Sequence, residues 1–214
     1  ADGHSVQTGE FRVEEFRLPV YEGRVNPAGS AQLVNAATIP VEVQINYVAG
    51  GPAANLPVQV SAMLRPKYLS VAGYEAFSFQ APRDRQEAVA SGDQESENSN
   101  SDSRVVADKL PVRLDKNGSG KTTLTQMAPG KQPVDLLLEA SYSDPNGEVQ
   151  TLRSTRTLWP ASVLAGIKTE DWLSSGKQIK FQALALDLSA KPQEGITLDV
   201  RATARVVTSA RKRM

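Results

Sequence analysis

Apolar and polar residues alternate one by one along most of this 214-residue chain. Between Thr38 and Arg65 the alternation is cleanest. Val41, Val43, Ile45 and Tyr47 are interleaved with Glu42, Gln44 and Asn46, and Val58, Val60, Ala62 and Leu64 with Gln59, Ser61 and Arg65. A period of two is that of a strand with one buried face. The intervening AGGPAAN, Ala49 to Asn55, cannot continue a ladder, so the two runs read as an antiparallel hairpin. One hairpin is marginal in water, and this one predicts a second sheet over its apolar face.

The rest of the chain predicts more strands and no helix. Phe11, Val13 and Phe16 form a short run closed by Pro19, and Tyr21 to Val25 form another. Phe77 and Phe79 alternate like a further strand. From Gly92 to Ser103 no apolar residue occurs, and Asp93, Glu95, Glu97 and Asp102 stand without a base among them. Such a segment buries too little surface to offset its ordering entropy, so residues 84–104 are expected to be a disordered acidic loop. Leu110, Val112 and Leu114 alternate, and Thr123 to Met127 can run back after the turn DKNGSGK. Val134, Leu136, Leu138, Ala140 and Tyr142 make the longest alternating set. Its turn, Asp144-Pro145-Asn146-Gly147, leads into a return strand from Val149 to Thr157. Strands at this spacing predict an all-β sandwich.

At Trp159-Pro160 the pattern restarts. Glu14 to Asn26 lines up with Thr155 to Lys168, and the run Ile179, Phe181, Ala183, Ala185 followed by Ile196, Leu198, Val200, Ala202 repeats the central hairpin. Pro19 and Pro160 are 141 positions apart, Val41 and Ile179 138 apart. Near-equal offsets are those of a tandem repeat. The division is therefore a terminal strand of a preceding unit (1–18), a complete sandwich (19–158) and the first part of the next (159–214). Pro19, Trp159 and Pro160 are the structural joint, stiffened because proline restricts its own φ and the residue before it. The half-unit leaves an apolar face uncovered, which predicts disorder after about residue 165 or pairing with a second copy.

Composition removes several chemistries. Acidic and basic residues are equal at 24 each, so net charge gives no argument for nucleic acid. There is no cysteine, hence no disulfide, thiolate metal site or cysteine nucleophile. No apolar run approaches the ~20 residues of a spanning helix. His4 is the only histidine and sits in a polar N-terminal stretch, a poor place for a catalytic base or metal centre. Glu14 and Glu15 are adjacent on a strand and point to opposite faces. Gly118 to Thr122, GSGKT, lacks the glycine that a phosphate loop needs at the position of Asp115, and reads as a hairpin turn. Asn117-Gly118-Ser119 reads as an exposed turn. The basic end, Arg211 to Arg213, has no interleaved aromatics. No catalytic, cofactor-binding or metal-binding residue and no cofactor is expected.

The phrases FRVEEFRLPV (Phe11 to Val20), NYVAGGPAANLPVQV (Asn46 to Val60), LWPASVLAGIK (Leu158 to Lys168) and TSARKRM (Thr208 to Met214) resemble bacterial alpha-2-macroglobulin-like proteins. The resemblance covers nearly the whole chain, with the acidic tract its weakest part. It implies tandem macroglobulin-type (fibronectin/Ig-like) antiparallel β-sandwich domains, one complete and one partial. It implies a non-catalytic fragment of a parent that traps or inhibits proteases as a defence, in the periplasm or associated with the cell envelope. The partners so implied are neighbouring macroglobulin domains, proteases as targets of the intact parent, and envelope or peptidoglycan-synthesis proteins; the uncovered face of the incomplete unit adds a second copy. Thioester-bearing members use a Cys-x-Glu-Gln motif, and this chain has no cysteine, so it traps nothing covalently by that route. Arg83, Arg85 and Arg104 mark the candidate protease-accessible loop. An adhesin or carbohydrate-binding sandwich is the alternative, with Trp159 and Trp172 as its platform.

Overall fold

The computed structural model describes residues 19–29, 32–80, 103–125, 127, 130–169 and 179–202. The expectations placed on residues 1–18, on the loop from 84 to 102, on Trp172 and on the basic end lie outside the described residues. The described residues form ten strands and no helix: β1 (Tyr21–Pro27), β2 (Leu33–Val34), β3 (Ile39–Tyr47), β4 (Pro57–Pro66), β5 (Arg104–Arg113), β6 (Ser119–Leu124), β7 (Val134–Ser143), β8 (Val149–Trp159), β9 (Val163–Thr169) and β10 (Phe181–Asp187). The all-β expectation is borne out.

The first eight strands build a sandwich. A three-stranded antiparallel sheet of order β1-β3-β6 lies over a five-stranded sheet of order β2-β8-β7-β4-β5, in which only the short β2–β8 pair is parallel. One core fills the space between: Ile39, Val41, Val43 and Ile45 from β3, Val58 and Val60 from β4, Leu136, Leu138 and Ala140 from β7, all at most 2% exposed. Alternation in the sequence becomes alternation of burial, since successive strand residues face opposite sides of the sheet. Tyr47 departs from this pattern. It is the last residue of β3, 38% exposed, and stacks on Tyr21 at a ring separation of 4.7 Å instead of entering the core.

The sequence places β3 and β4 in one hairpin, and the structure corrects this. β3 pairs with β1 and β6, whereas β4 pairs with β5 and β7. The Gly-Pro segment makes a tight turn, with Tyr47 N donating to Gly51 O at 2.9 Å and Ala53 N to Ile45 O at 3.1 Å, and then carries the chain across to the other sheet. The expected β5–β6 hairpin fails in the same way: β6 begins inside the supposed turn and joins β3. An arch between sheets sets the two apolar faces against each other, which buries both without further cover. The β7–β8 hairpin is real, with ten paired positions from Val134↔Leu158 to Ser143↔Val149. At its tip the Asp144 carboxylate accepts from the backbone N–H of Asn146 (2.8 Å) and Glu148 (2.9 Å). The expected strand through Phe77 and Phe79 is a looped segment with a single bridge, Ser78↔Ile167.

After Pro160 the chain forms a separate two-stranded antiparallel sheet, β9–β10, registered from Val163↔Asp187 to Phe181↔Thr169. The turn that follows β10 reproduces the one that follows β3. Asp187 N donates to Lys191 O (2.9 Å), Ala190 N to Asp187 O (3.0 Å) and Gln193 N to Ala185 O (2.9 Å), and Leu186 bridges Pro192 as Asn46 bridges Pro52. Tyr47 therefore corresponds to Asp187, an offset of 140 and not the 138 that the apolar runs suggest. Residues 196–202 belong to no strand, so the expected second hairpin is absent among the described residues.

Candidate functional site

The candidate site is the junction of the sandwich with β9–β10. β8 ends at Trp159, and three residues, Pro160 to Ser162, lead into β9. Trp159 is half-buried at the end of the parallel β2–β8 pair, and its carbonyl accepts from Asn35 N at 2.8 Å. Asn35 adopts φ 47°, a left-handed conformation that asparagine tolerates better than most residues. Pro160 is half-buried beside it, and Pro19, exposed, precedes β1 at the start of the described chain. Arg104 is exposed as the first residue of β5, and Arg83 and Arg85 lie outside the described residues.

A second connection crosses the same junction, and sequence reasoning missed it. Leaving β4, the chain runs from Lys67 to Phe79 over the β9–β10 sheet. Its start is fixed to the sandwich: Lys67 N donates to Pro133 O at 3.1 Å, and Lys67 Nζ donates to Asp135 Oδ1 at 2.9 Å. Asp135 also accepts from Thr157 Oγ1 at 3.1 Å. Its end is fixed to β9, because Ser78 N donates to Ile167 O (2.8 Å) and Ile167 N to Ser78 O (3.0 Å). Between these ends Val71 and Phe79 are buried against Leu186, which is fully buried, with Tyr74, Phe77 and Leu184 packed around them. Gly73, at φ 83°, makes the turn at the middle, where Glu75 Oε1 accepts the Gly73 N–H at 2.9 Å. That hydrogen bond holds the Glu75 carboxyl below its ordinary range. In the sequence Phe77 and Phe79 alternate like a further strand of the sandwich, which points to the wrong partner.

This contact covers one face of the second sheet and leaves largely bare the apolar face, with Ile179, Phe181 and Ala183, that the sequence expects to be uncovered. Of its two faces, the one bearing Leu164, Gly166, Leu184 and Leu186 lies under residues 69–79. On the opposite face Ala165, Ile167, Phe181 and Ala183 are exposed and Ala185 is buried. The hairpin is thus formed well past residue 165, against the expected disorder.

Among the described residues no group of three His, Cys, Asp or Glu is placed to hold a metal ion. No described helix is long and apolar enough to cross a membrane, which leaves β-barrels unaddressed. Gly118 to Thr122 lie in a turn and in β6, with no following helix, so the phosphate-loop motif is absent here.

No family model matches the chain. It is 28% identical over 162 residues, 75% of its length, to alpha-2-macroglobulin of Escherichia coli strain K12, and spans only 9% of that protein. Its fold matches Salmonella alpha-2-macroglobulin reacted with methylamine at a TM-score of 0.57 and 21% identity, covering 84% of this chain and 12% of that one. It matches the native conformation of the E. coli protein at 0.56 and 22%, covering 84% and 11%. The elastase-activated E. coli protein gives 0.55 and 22%, covering 82% and 15%. The resemblance read from the sequence is borne out: over most of its length this chain is similar, in sequence and in fold, to a small part of bacterial alpha-2-macroglobulin.

Proposed function

We propose that the chain is a non-catalytic, load-transmitting stretch of a larger alpha-2-macroglobulin-like protein that traps proteases in the cell envelope. The units are a terminal strand of a preceding domain (1–18), a complete macroglobulin-type sandwich (19–158) and the opening of the next (159–214). The observation that carries this reading is the repeated turn, Tyr47 to Ala53 and Asp187 to Gln193, with the same backbone hydrogen bonds 140 residues apart. Two units of one design, joined by three residues, are the arrangement a tandem array requires. The relatives to which the chain is similar include forms activated by elastase and by trypsin, which ties such arrays to encounters with proteases.

In this reading the chain supplies shape. Pro19, Trp159 and Pro160 set the joint, and cleavage elsewhere in the parent moves the units as bodies. Arg83, Arg85 and Arg104 are the sites at which a trypsin-like protease would enter this stretch, and Arg104 is exposed at the head of an edge strand. Neighbouring macroglobulin domains are the immediate partners, with envelope or peptidoglycan-synthesis proteins further out. Self-association through the exposed face of β9–β10 would be weak. Two seven-residue strands offer roughly 200 Å² of face, against the ~800 Å² per partner of a stable interface.

The test compares this chain with a longer protein containing it. The chain alone leaves trypsin and elastase fully active on a protein substrate. The longer protein, once cleaved, suppresses digestion of protein substrates while sparing small chromogenic ones. Inhibition by the isolated chain at substoichiometric amounts would overturn the reading.

A further inference from the structure

We propose that residues 67–79 are a clasp in cis, built to hold the next unit of the array and no other surface of the chain. The β1-β3-β6 sheet carries one apolar face, turned to the core, and one polar face. On the outer side of β1 and β3 the positions matching Leu164, Gly166, Leu184 and Leu186 are Glu22, Arg24, Gln44 and Asn46, related by offsets of 142 in β9 and 140 in β10. The second sheet carries apolar residues on both sides, with Lys168 and Gln182 as the polar pair at one end of the outer side. Its inner side is the one a sandwich requires, so the outer side has a separate purpose, and the β4–β5 connection of the preceding unit lies on it.

The fit is specific at one point. A Cβ added at Gly166 would lie 2.6 Å from Phe79 Cε1 and 3.0 Å from Cζ, so the ring rests directly on the β9 backbone. Ser78 continues the sheet at the free edge of β9 through two backbone hydrogen bonds, which places Phe77 and Phe79 on the outer side with Gly166. The polar outer face of β1–β3, with Arg24 where Gly166 stands, offers neither the flat landing nor the apolar surface. A second copy's clasp therefore has no equivalent site on the first unit. The array is held in order by a segment whose partner is the sheet immediately after it. The clasp also couples the units: β9–β10 is a lone hairpin, marginal by itself, and its described apolar cover comes from the preceding sandwich.

Phe79→Ala in the full chain tests the coupling by amide exchange. The amides of β9 and β10 should exchange about tenfold faster or more, while those of β3 and β7 keep their rates, as for a local opening separate from global unfolding. Unchanged exchange in β9–β10 would overturn the proposal. If the variant loses the sandwich too, a cysteine pair decides. The chain has no cysteine of its own, and hydrogen-bonded antiparallel neighbours sit ~5.5 Å apart at Cα, within disulfide reach. Ser78→Cys with Ile167→Cys should oxidise to a monomeric cross-linked species and slow exchange in β9–β10. Failure to cross-link, or a disulfide-linked dimer, would overturn the assignment in cis. Neither result bears on protease trapping by the parent.

Discussion

Gly118 lies directly against Ile45. Ile45 N donates to Gly118 O at 2.9 Å, and a Cβ built on Gly118 would overlap the Ile45 carbonyl oxygen and stand 3.1 Å from Ala53 N. The turn before β6 is thus pressed onto the end of β3, and on to the arch that leads to β4. Gly118 also has φ 72°, where a side chain is strained whatever the space. Gly118→Ala should cost about 2–4 kcal/mol, combining the left-handed conformation with overpacking against backbone that has nowhere to go. A denaturant midpoint equal to the parent's would show that this turn is loosely seated.

Ile45 is fully buried in the core. Ile45→Ala should lower stability by about 2–5 kcal/mol, the transfer free energy of the lost side chain plus the cavity it leaves. Chemical denaturation followed by tryptophan fluorescence measures this, and equal midpoints would remove Ile45 from the core.

Two ion pairs should behave differently. Asp135, with its side chain 14% exposed, accepts from both Lys67 and Thr157, so Asp135→Ala should cost about 1–3 kcal/mol by stranding partly buried donors. Arg153 and Glu139 approach at 2.7 Å, but their side chains are 74% and 45% exposed. Arg153→Ala should change stability by less than about 1 kcal/mol. Equal losses at the two sites would contradict the burial argument.

Alkaline pH should loosen the sandwich end. Desolvation, then the hydrogen bond with Tyr47, pushes the Tyr21 phenol up to about 12, and desolvation also raises Tyr142, whose ring stands edge-on to Tyr21 at 5.7 Å. A raised folded-state pKa means that the folded chain holds the proton more tightly than the unfolded one. This stabilisation is whole below the unfolded value near 10 and is lost as pH climbs from there toward 12. The thermal midpoint should fall between pH 10 and 12, and Tyr21→Phe should flatten that fall. An unchanged slope in the variant would assign the loss to other groups.

Alternation alone determined much of this protein. It marked β3, β4 and β7 with the side of each that faces the core, and argued against helices, because a period of two is written into how side chains leave an extended backbone. Asp144-Pro145-Asn146-Gly147 likewise specified its hairpin locally, through an aspartate that caps its own turn. The likeness of the segment after β10 to the one after β3 was legible for the same reason, since a repeated pattern needs no partner to be seen. Pairing was another matter. Val41 to Tyr47 and Val58 to Leu64 satisfy the same pattern whether they lie side by side in a sheet or face one another across a core, and only the packed sandwich selects the second. In the segment from Leu69 to Phe79 only Phe77 and Phe79 alternate, a run too short to name its partner. The segment's apolar residues make sense only once Leu186 and Gly166 lie beneath them, far along the chain, and contacts at that separation belong to the tertiary structure because nothing local encodes them.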